Sequence, residues 1–289
     1  MLSEIVKFFK ENTRTLLFAA LFFANIIIWI HARGIETVKY VEVDFLNVGQ
    51  GDAILIEATN HNQVLIDAGP NRAVLRELGR EMPWFDRTID VVIATHPDRD
   101  HIGGLPEIVR RYEIGTYIES GVASETSVYG ELERVIKENH IPNLVARRGM
   151  VIDMADGSYL EILFPDRDVS GLDPNDASVI ARYVYGETCF LFTGDSPQKI
   201  EEYLVSFGDG LNCEVLKAGH HGSRTSTGEV FASAVLPDYA VISSGKDNSY
   251  GHPHEDVLMN LASIGAVILN TAESGTVRFV SDGISVRTK

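Results

Sequence analysis

Six of the nine histidines stand in three short motifs, His96/His101, His220/His221 and His252/His254, each after an apolar run. The densest motif is His96-Pro-Asp-Arg-Asp100-His101, which puts two imidazoles and two carboxylates into six residues. It follows Ile89-Asp-Val-Val-Ile-Ala-Thr95, which reads as a buried strand. It precedes Ile102-Gly-Gly-Leu-Pro106, which reads as a turn into a helix. A loop between a strand and a helix aims several side chains into one small volume. Imidazole and carboxylate together there are ligand chemistry for a divalent ion. Asp195, in Phe190-Leu-Phe-Thr-Gly-Asp195, ends a fourth apolar run. Isolated histidines are more often ordinary core or surface residues. Four apolar strands that each lead to a ligand-type residue predict one shared rim.

Such a rim needs strands to carry it and helices to cover them. Apolar, β-branched runs predict strands over 38–48, 53–57, 63–67, 89–95, 116–119, 159–164, 178–185, 188–193, 214–218, 239–243, 266–270, 276–280 and 284–287. Helical patterns fall over 71–80, 105–112, 128–139, 197–205, 229–235 and 255–264. Many strands in two groups with helices between them predict an α/β fold of two packed sheets with helices outside. No Pro/Gly/Ser-rich linker divides residues 37–289, which therefore read as one domain of the 289-residue chain.

The first forty residues differ in kind. Leu16–Ile30 is apolar except for Asn25, and Ile5, Val6, Phe8 and Phe9 extend the apolar character N-terminally. Trp29 stands where an interfacial aromatic would sit. Lys7, Lys10 and Arg14 precede the run, while Arg33 and Lys39 follow it. The expectation is a transmembrane helix over residues 5–31, N-terminus inside, with 1–36 forming an anchor and short linker. The remaining chain would then be extracytoplasmic. A cleaved signal peptide is the alternative, although no Ala-x-Ala site follows the run. A buried core helix is disfavoured by the absence of a polar face.

The net charge of −16 argues against tight non-specific nucleic-acid binding, which uses a basic face. It leaves open phosphate chemistry at a site whose metals carry the positive charge. Cys189 and Cys213 are too few for a disulfide framework or a zinc knuckle. If their strands are neighbours, the thiols lie together at the far end from the rim, either as a disulfide or as free buried thiols.

Several stretches resemble the metallo-β-lactamase superfamily. They are Val43-Asp-Phe-Leu-Asn-Val-Gly-Gln-Gly-Asp52, Leu65-Ile-Asp-Ala-Gly69, Thr95-His-Pro-Asp-Arg-Asp-His-Ile-Gly-Gly104, Phe192-Thr-Gly-Asp195, Leu216-Lys-Ala-Gly-His-His-Gly-Ser223 and Ser249-Tyr-Gly-His-Pro-His254. More narrowly they resemble the extracytoplasmic hydrolase domain of ComEC-type competence (DNA-uptake) proteins, over roughly residues 38–287. The resemblance implies a four-layer αββα sandwich holding two divalent metal ions, zinc, manganese or magnesium. It implies His96, Asp98, Asp100 and His101 as ligands and Asp195 as the bridging carboxylate. One of His220 and His221 would be a further ligand, with His220 preferred, and Asp67 would order the metal loop from behind. Many members carry His where this chain has Asp98, and again in the region of Asn175-Asp-Ala-Ser178; both departures are shared by ComEC-like domains. A carboxylate at position 98 makes that site harder and more anionic, which favours manganese or magnesium beside zinc.

These readings predict a metal-dependent phosphodiesterase or nuclease acting on a phosphodiester, single-stranded DNA above all, with competence or DNA-uptake proteins as partners. Asp100, His221 and His252 are the expected catalytic residues, with His252 or the non-ligating member of the His220/His221 pair giving a proton to the leaving oxygen. Asn175, Asp176, Ser178, Lys217, Ser223, Asn248 and Tyr250 are expected to contact substrate or support the ligands. Rival readings are a cell-surface phosphoester hydrolase like the phosphorylcholine esterases, a lactam or ester hydrolase, and a non-enzymatic binding module.

Overall fold

The computed structural model describes residues 12–34, 39–208 and 210–289. It divides into two compact units, residues 1–39 and 40–289. In the first unit, α1 spans Thr13–Gly34. The transmembrane helix expected over 5–31 lies partly outside the described residues and is not supported within them. No helix among the described residues is long and apolar enough to cross a membrane. Thr13, Arg14 and Thr15 begin α1, and His31, Arg33 and Gly34 end it. The uninterrupted apolar stretch between them is shorter than the ~20 residues a span requires.

In the second unit, β1 (Val41–Phe45), β2 (Ile54–Glu57) and β3 (Gln63–Ile66) come first, followed by α2 (Ala73–Glu81) and β4 (Thr88–Ala94). Two short helices, α3 (Arg99–Ile102) and α4 (Leu105–Val109), lead to β5 (Glu113–Glu119), α5 (Ser127–Glu138) and β6 (Asn143–Val145). Next come β7 (Val151–Asp153), β8 (Tyr159–Phe164), β9 (Ile180–Tyr185), β10 (Thr188–Phe192), α6 (Gln198–Ser206) and β11 (Val215–Lys217). Then follow α7 (Glu229–Val235), β12 (Tyr239–Ile242), α8 (Glu255–Ser263), β13 (Val267–Asn270) and α9 (Thr271–Ser274). Strands β14 (Val277–Ser281) and β15 (Val286–Thr288) close the chain.

The strands form an eight-stranded sheet, β15-β14-β1-β2-β3-β4-β5-β6, and a seven-stranded sheet, β13-β12-β11-β10-β9-β8-β7. Phe45 and Phe279 of the first sheet meet Phe192 and Phe190 of the second, each pair with ring centroids 6.1 Å apart. Each such pair adds about 0.5–1.5 kcal/mol beyond its buried area. Leu78, Val92, Ile108 and Leu132 pack beneath α2, α4 and α5 on the outer face of one sheet. Leu191, Leu204, Phe231 and Leu261 pack beneath α6–α8 on the other. Helix, sheet, sheet and helix thus make the expected four layers. Helix α5 shows why: Leu132, Val135 and Ile136 fall on one buried face, and the Thr126 hydroxyl caps its start by accepting from Tyr129 N.

Strand direction creates the rim. β3, β4 and β5 are mutually parallel, and β1 runs with them because β2 is antiparallel to both β1 and β3. In the other sheet β10, β11 and β12 are parallel. The segments after these strands carry Asp52, Asp67, His96–His101, Asp195, His220/His221 and Asn248–His254 to one edge of the sandwich.

At the opposite end Cys189 and Cys213 form a disulfide, Cα–Cα 5.0 Å, at the starts of neighbouring β10 and β11. The question left open by the sequence resolves to the bonded pair. Closing a loop with a sequence separation of 24 stabilises by about 3 kcal/mol in the chain-entropy picture. Replacing both cysteines by serine is expected to lower unfolding free energy by about that amount in denaturant titration.

Candidate metal centre

Asp67 sits directly after β3, wholly buried and with a left-handed backbone (φ 58°). Its carboxylate accepts from Thr95 N (2.8 Å), Thr95 Oγ1 (2.7 Å) and His101 Nδ1 (2.7 Å). One side chain therefore ties the end of β4 to the ring at the far end of the motif and turns His101 Nε2 outward. The motif's glycines close this arrangement. A Cβ on Gly103 would run into the Pro70 carbonyl and Arg99 O, and one on Gly104 into Ala68 O and the Val74 side chain. Backbone cannot move aside cheaply, so Gly103→Ala is expected to cost about 1–3 kcal/mol in equilibrium unfolding.

Three side-chain atoms converge, and a fourth stands beside one of them. His101 Nε2 lies 3.3 Å from Asp195 Oδ2, and His221 Nε2 lies 3.4 Å from the same oxygen. Asp100 Oδ2 is 3.3 Å from His221 Nε2. His221 Nδ1 is held by Ser243 O at 2.9 Å, so its Nε2 is the free coordinating atom. Each ring is thus oriented from behind by an oxygen, as in ligating histidines generally.

Asp52, His101, Asp195 and His221 also form a close set, with ligand-type atoms all within 4.8 Å of one another. Asp52, however, approaches the Nδ1 side of both rings, at 3.9 Å from His101 and 3.3 Å from His221. Its other commitment is an ion pair with Lys217. Asp100 stands on the Nε2 side, 3.3 Å from His221 Nε2. Asp52 belongs behind the cluster.

A looser set lies alongside. His96 is buried, with Nδ1 near Thr95 Oγ1 (3.0 Å) and Ser178 Oγ (3.3 Å). Asp98 Oδ2 lies 3.7 Å from His96 Nε2, and His220 Nε2 lies 3.7 Å from Asp195 Oδ2. The buried His96 Nε2, His101 Nε2 and Asp195 Oδ1 make no hydrogen bond. Bare buried donors and acceptors on hard and borderline ligand types fit a divalent cation.

Electrostatics agree with that fit. Burial, with His101 beside it, pushes the His96 imidazole down to about 3, so it presents a neutral nitrogen. Burial also opposes charge on His221, but Asp195, Asp52 and Asp100 outweigh it and lift the ring to about 9. His101 is raised well above its ordinary value against burial by Asp195 and Asp67. Without a cation, protons on these two rings balance the clustered carboxylates. Lys217, fully buried, is a further internal cation; it pairs with Asp52, stands 3.6 Å from Asp195 Oδ1 and donates to Gly194 O at 2.8 Å.

A cavity of about 200 Å³ opens over the cluster, lined by Gln50, Asp98, Asp100, Asp195, His220, His221, Tyr250 and His252. Of the two adjacent histidines, His221 is buried and enters the cluster, whereas His220 is partly exposed and bonds Thr225 Oγ1 at 3.1 Å. The sequence preference for His220 as ligand is therefore reversed in the geometry. Both residues hold left-handed backbones, φ 49° and 56°. For non-glycine residues that stores of order 1–3 kcal/mol each, a common mark of functional sites.

Other expected residues stand elsewhere. Asn248 staples its own turn, donating to Gly245 O and His252 O and accepting from Tyr250 N and His252 N. Ser223 bonds Thr225 Oγ1. Asp176 turns away to pair with Lys199, and Asn175 does not line the cavity. From that stretch Ser178 alone touches the site, between His96 Nδ1 and Asp195 N. Tyr250 is exposed and stacks on His252, ring centroids 5.6 Å apart. Burial and the neighbouring His221 and His220 hold His252 down to about 4, so it is a neutral imidazole and no strong acid at neutral pH.

Sequence reasoning passed over Gln50 and Asp52 as site residues. Their signal is the glycine-flanked Gly49-Gln-Gly-Asp52 after β1, on the same rim; Gln50 Oε1 accepts from Gly245 N at 2.9 Å and joins the two walls.

Residues 46–246 match the family model of the metallo-beta-lactamase superfamily, and the chain belongs to it. Its fold together with this candidate ligand group implies divalent metal binding, as in a superfamily of generally metal-dependent hydrolases. Among curated relatives, the chain is 30% identical over 259 residues to ComE operon protein 3 of Bacillus subtilis, covering 82% of this chain and 33% of that protein. It is 34% identical to Recombination protein 2 of Haemophilus influenzae, covering 85% and 30% respectively. Competence protein ComA of Neisseria gonorrhoeae is 32% identical, covering 81% and 31%. The chain thus spans about a third of the length of these relatives. The metallo-beta-lactamase fold protein YhfI of Bacillus subtilis shares the fold, with a TM-score of 0.55 at 14% identity over 83% of this chain and 99% of that one.

Proposed function

We propose that this chain is a metal-dependent phosphodiesterase that cleaves nucleic acid, single-stranded DNA above all, outside the cytoplasm. The observation that carries this reading is the convergence of His101 Nε2 and His221 Nε2 on Asp195 Oδ2, with Asp100 Oδ2 beside His221 Nε2, beneath an open cavity. Asp100, His101, Asp195 and His221 would hold one ion; His96, Asp98 and His220 would serve a second. Bound divalent ions would supply Lewis acidity and an activated water for in-line displacement at phosphorus. Asp98, Asp100 and Asp195 bring −3 against the +4 of two such ions. The loaded site therefore attracts a phosphodiester on a chain of net charge −16.

His252 lines the cavity as a neutral ring whose N–H donates to a phosphate oxygen, and Tyr250 covers it. Asp98 favours manganese or magnesium beside zinc. The names of the competence and recombination relatives support a DNA substrate and DNA-uptake partners. The disulfide supports an oxidising compartment. A second reading, thioester hydrolysis, rests on matches to hydroxyacylglutathione hydrolases at 26–27% identity.

The test is turnover of an oligothymidylate, a chromogenic bis-aryl phosphodiester and a thioester by the chain loaded with manganese, zinc or magnesium. Phosphodiester turnover is expected, with His221→Ala losing at least a hundredfold and His220→Ala about tenfold. Turnover of the thioester alone overturns the reading.

A further inference from the structure

On the outer side of the metal loop lies a larger cavity, about 750 Å³, and its basic lining is arginine: Arg72, Arg99 and Arg110. Its walls come from the segments after β3, β4 and β5, the same rim that carries the metal centre. The two cavities share a wall. Asp98 and Asp100 face the small one, and Arg99 between them faces the large one. The start of α5, at Thr126 and Ser127, also opens onto it. Three arginines at one place stand out on a chain with 41 acidic and 25 basic residues.

We propose that this cavity is the track for the phosphodiester backbone of a single nucleic-acid strand whose scissile group lies over the metals. The inference rests on the phosphodiesterase reading and deepens it by naming where the polymer runs. A 200 Å³ pocket accommodates little more than the reacting phosphate and its sugar, so a polymer must continue past it. The arginines are set out for exchange. Arg72 pairs with Glu107 (2.8 Å), while Arg110 reaches both Glu107 (3.3 Å) and Glu131 (2.5 Å). Arg99 makes no ion pair among the described residues. Glu107 and Glu131 hold the forks in place until phosphates replace them, and guanidinium matches phosphate with two parallel hydrogen bonds. Three arginines against two glutamates leave the cavity with one excess positive charge, opposite in sign to the chain.

The experiment measures fluorescence anisotropy of labelled twenty-nucleotide oligothymidylate with the full chain, across salt, beside turnover of the chromogenic bis-aryl phosphodiester. Arg99→Gln and Arg110→Gln are each expected to weaken oligonucleotide binding about tenfold and to reduce the salt slope by about 0.7, one phosphate contact on a single strand. The ratio of oligonucleotide to dye turnover falls with them. Glu131→Gln, which only frees Arg110, is expected to tighten binding several-fold; it guards against a mere folding defect in the arginine variants. The proposal is overturned if the oligonucleotide does not bind, if its affinity ignores these substitutions, or if polyglutamate of equal length competes as well. Absence of dye turnover with arginine-dependent binding instead contradicts the phosphodiesterase reading and leaves the track standing.

Discussion

Asp195→Ala is expected to lower phosphodiester turnover about a thousandfold, with most of the metal lost from the purified protein. The reason is geometric. His101 Nε2 and His221 Nε2 both approach Asp195 Oδ2, at 3.3 and 3.4 Å. Lewis-acid assistance contributes several kcal/mol to such reactions, and about 4 kcal/mol corresponds to a thousandfold. Asp52→Asn separates the two candidate groupings of the cluster. Placed behind the rings and paired with Lys217, Asp52 should cost roughly 10–100-fold in metal affinity, the effect of an outer partner, and should leave stoichiometry unchanged at saturating metal. Metal titration followed by turnover at saturation reads both. An Asp52→Asn variant as dead as Asp195→Ala would mean that Asp52, in place of Asp100, is the fourth ligand.

Stripping the metal should make stability fall as pH rises, the second large effect. His221 sits near 9 in the folded, metal-free chain against an ordinary 6.5, raised over the cost of burial by Asp195 and Asp52. A raised folded value means stabilisation that is complete below about 6.5 and lost as pH climbs to about 9. The interval corresponds to about 3 kcal/mol for this buried ring, at 1.36 kcal/mol per unit. His101, raised well above its ordinary value, acts in the same direction. Asp44 and Glu201, lifted by burial to about 7, act in the same direction at the lower edge of this window. Added manganese or zinc needs the neutral rings, so its stabilisation should grow over the same range. Thermal melts with chelator and with metal, from pH 6.5 to 9, check the sign. A metal-free melting temperature that rises with pH would contradict the charge balance described for the cluster.

Much of the site could be read from residue order, because a strand's end is a local signal. An apolar run followed by His96-Pro-Asp-Arg-Asp100-His101, or by Thr193-Gly-Asp195, marks both the strand and the side chains at its tip. The two buried sheets and their covering helices follow from the same periodicities. Non-local facts were hidden. Nothing in the adjacent pair His220-His221 says which ring turns inward; their left-handed backbones and the oxygen of Ser243 decide it. Asp52 meets Lys217 only because β1 and β11 end on the same rim. Asn248 looked like a phosphate contact because amides suit that role, yet its four turn hydrogen bonds use it up. Strands β6 and β7 are three residues each and largely exposed, so they carry no alternation to detect. An apolar run of fifteen residues reads as a membrane span only when Ile5, Val6, Phe8 and Phe9 are counted toward its length, and these lie outside the described residues.

The most direct test is anomalous diffraction from crystals of the full chain grown with manganese or zinc. An anomalous peak is expected bonded to Asp195 Oδ2, His101 Nε2, His221 Nε2 and Asp100 Oδ2, at about 2.0–2.1 Å from each nitrogen for zinc. A peak on the Asp52 side of the rings, or saturating metal with no peak among these four side chains, would contradict that ligand set.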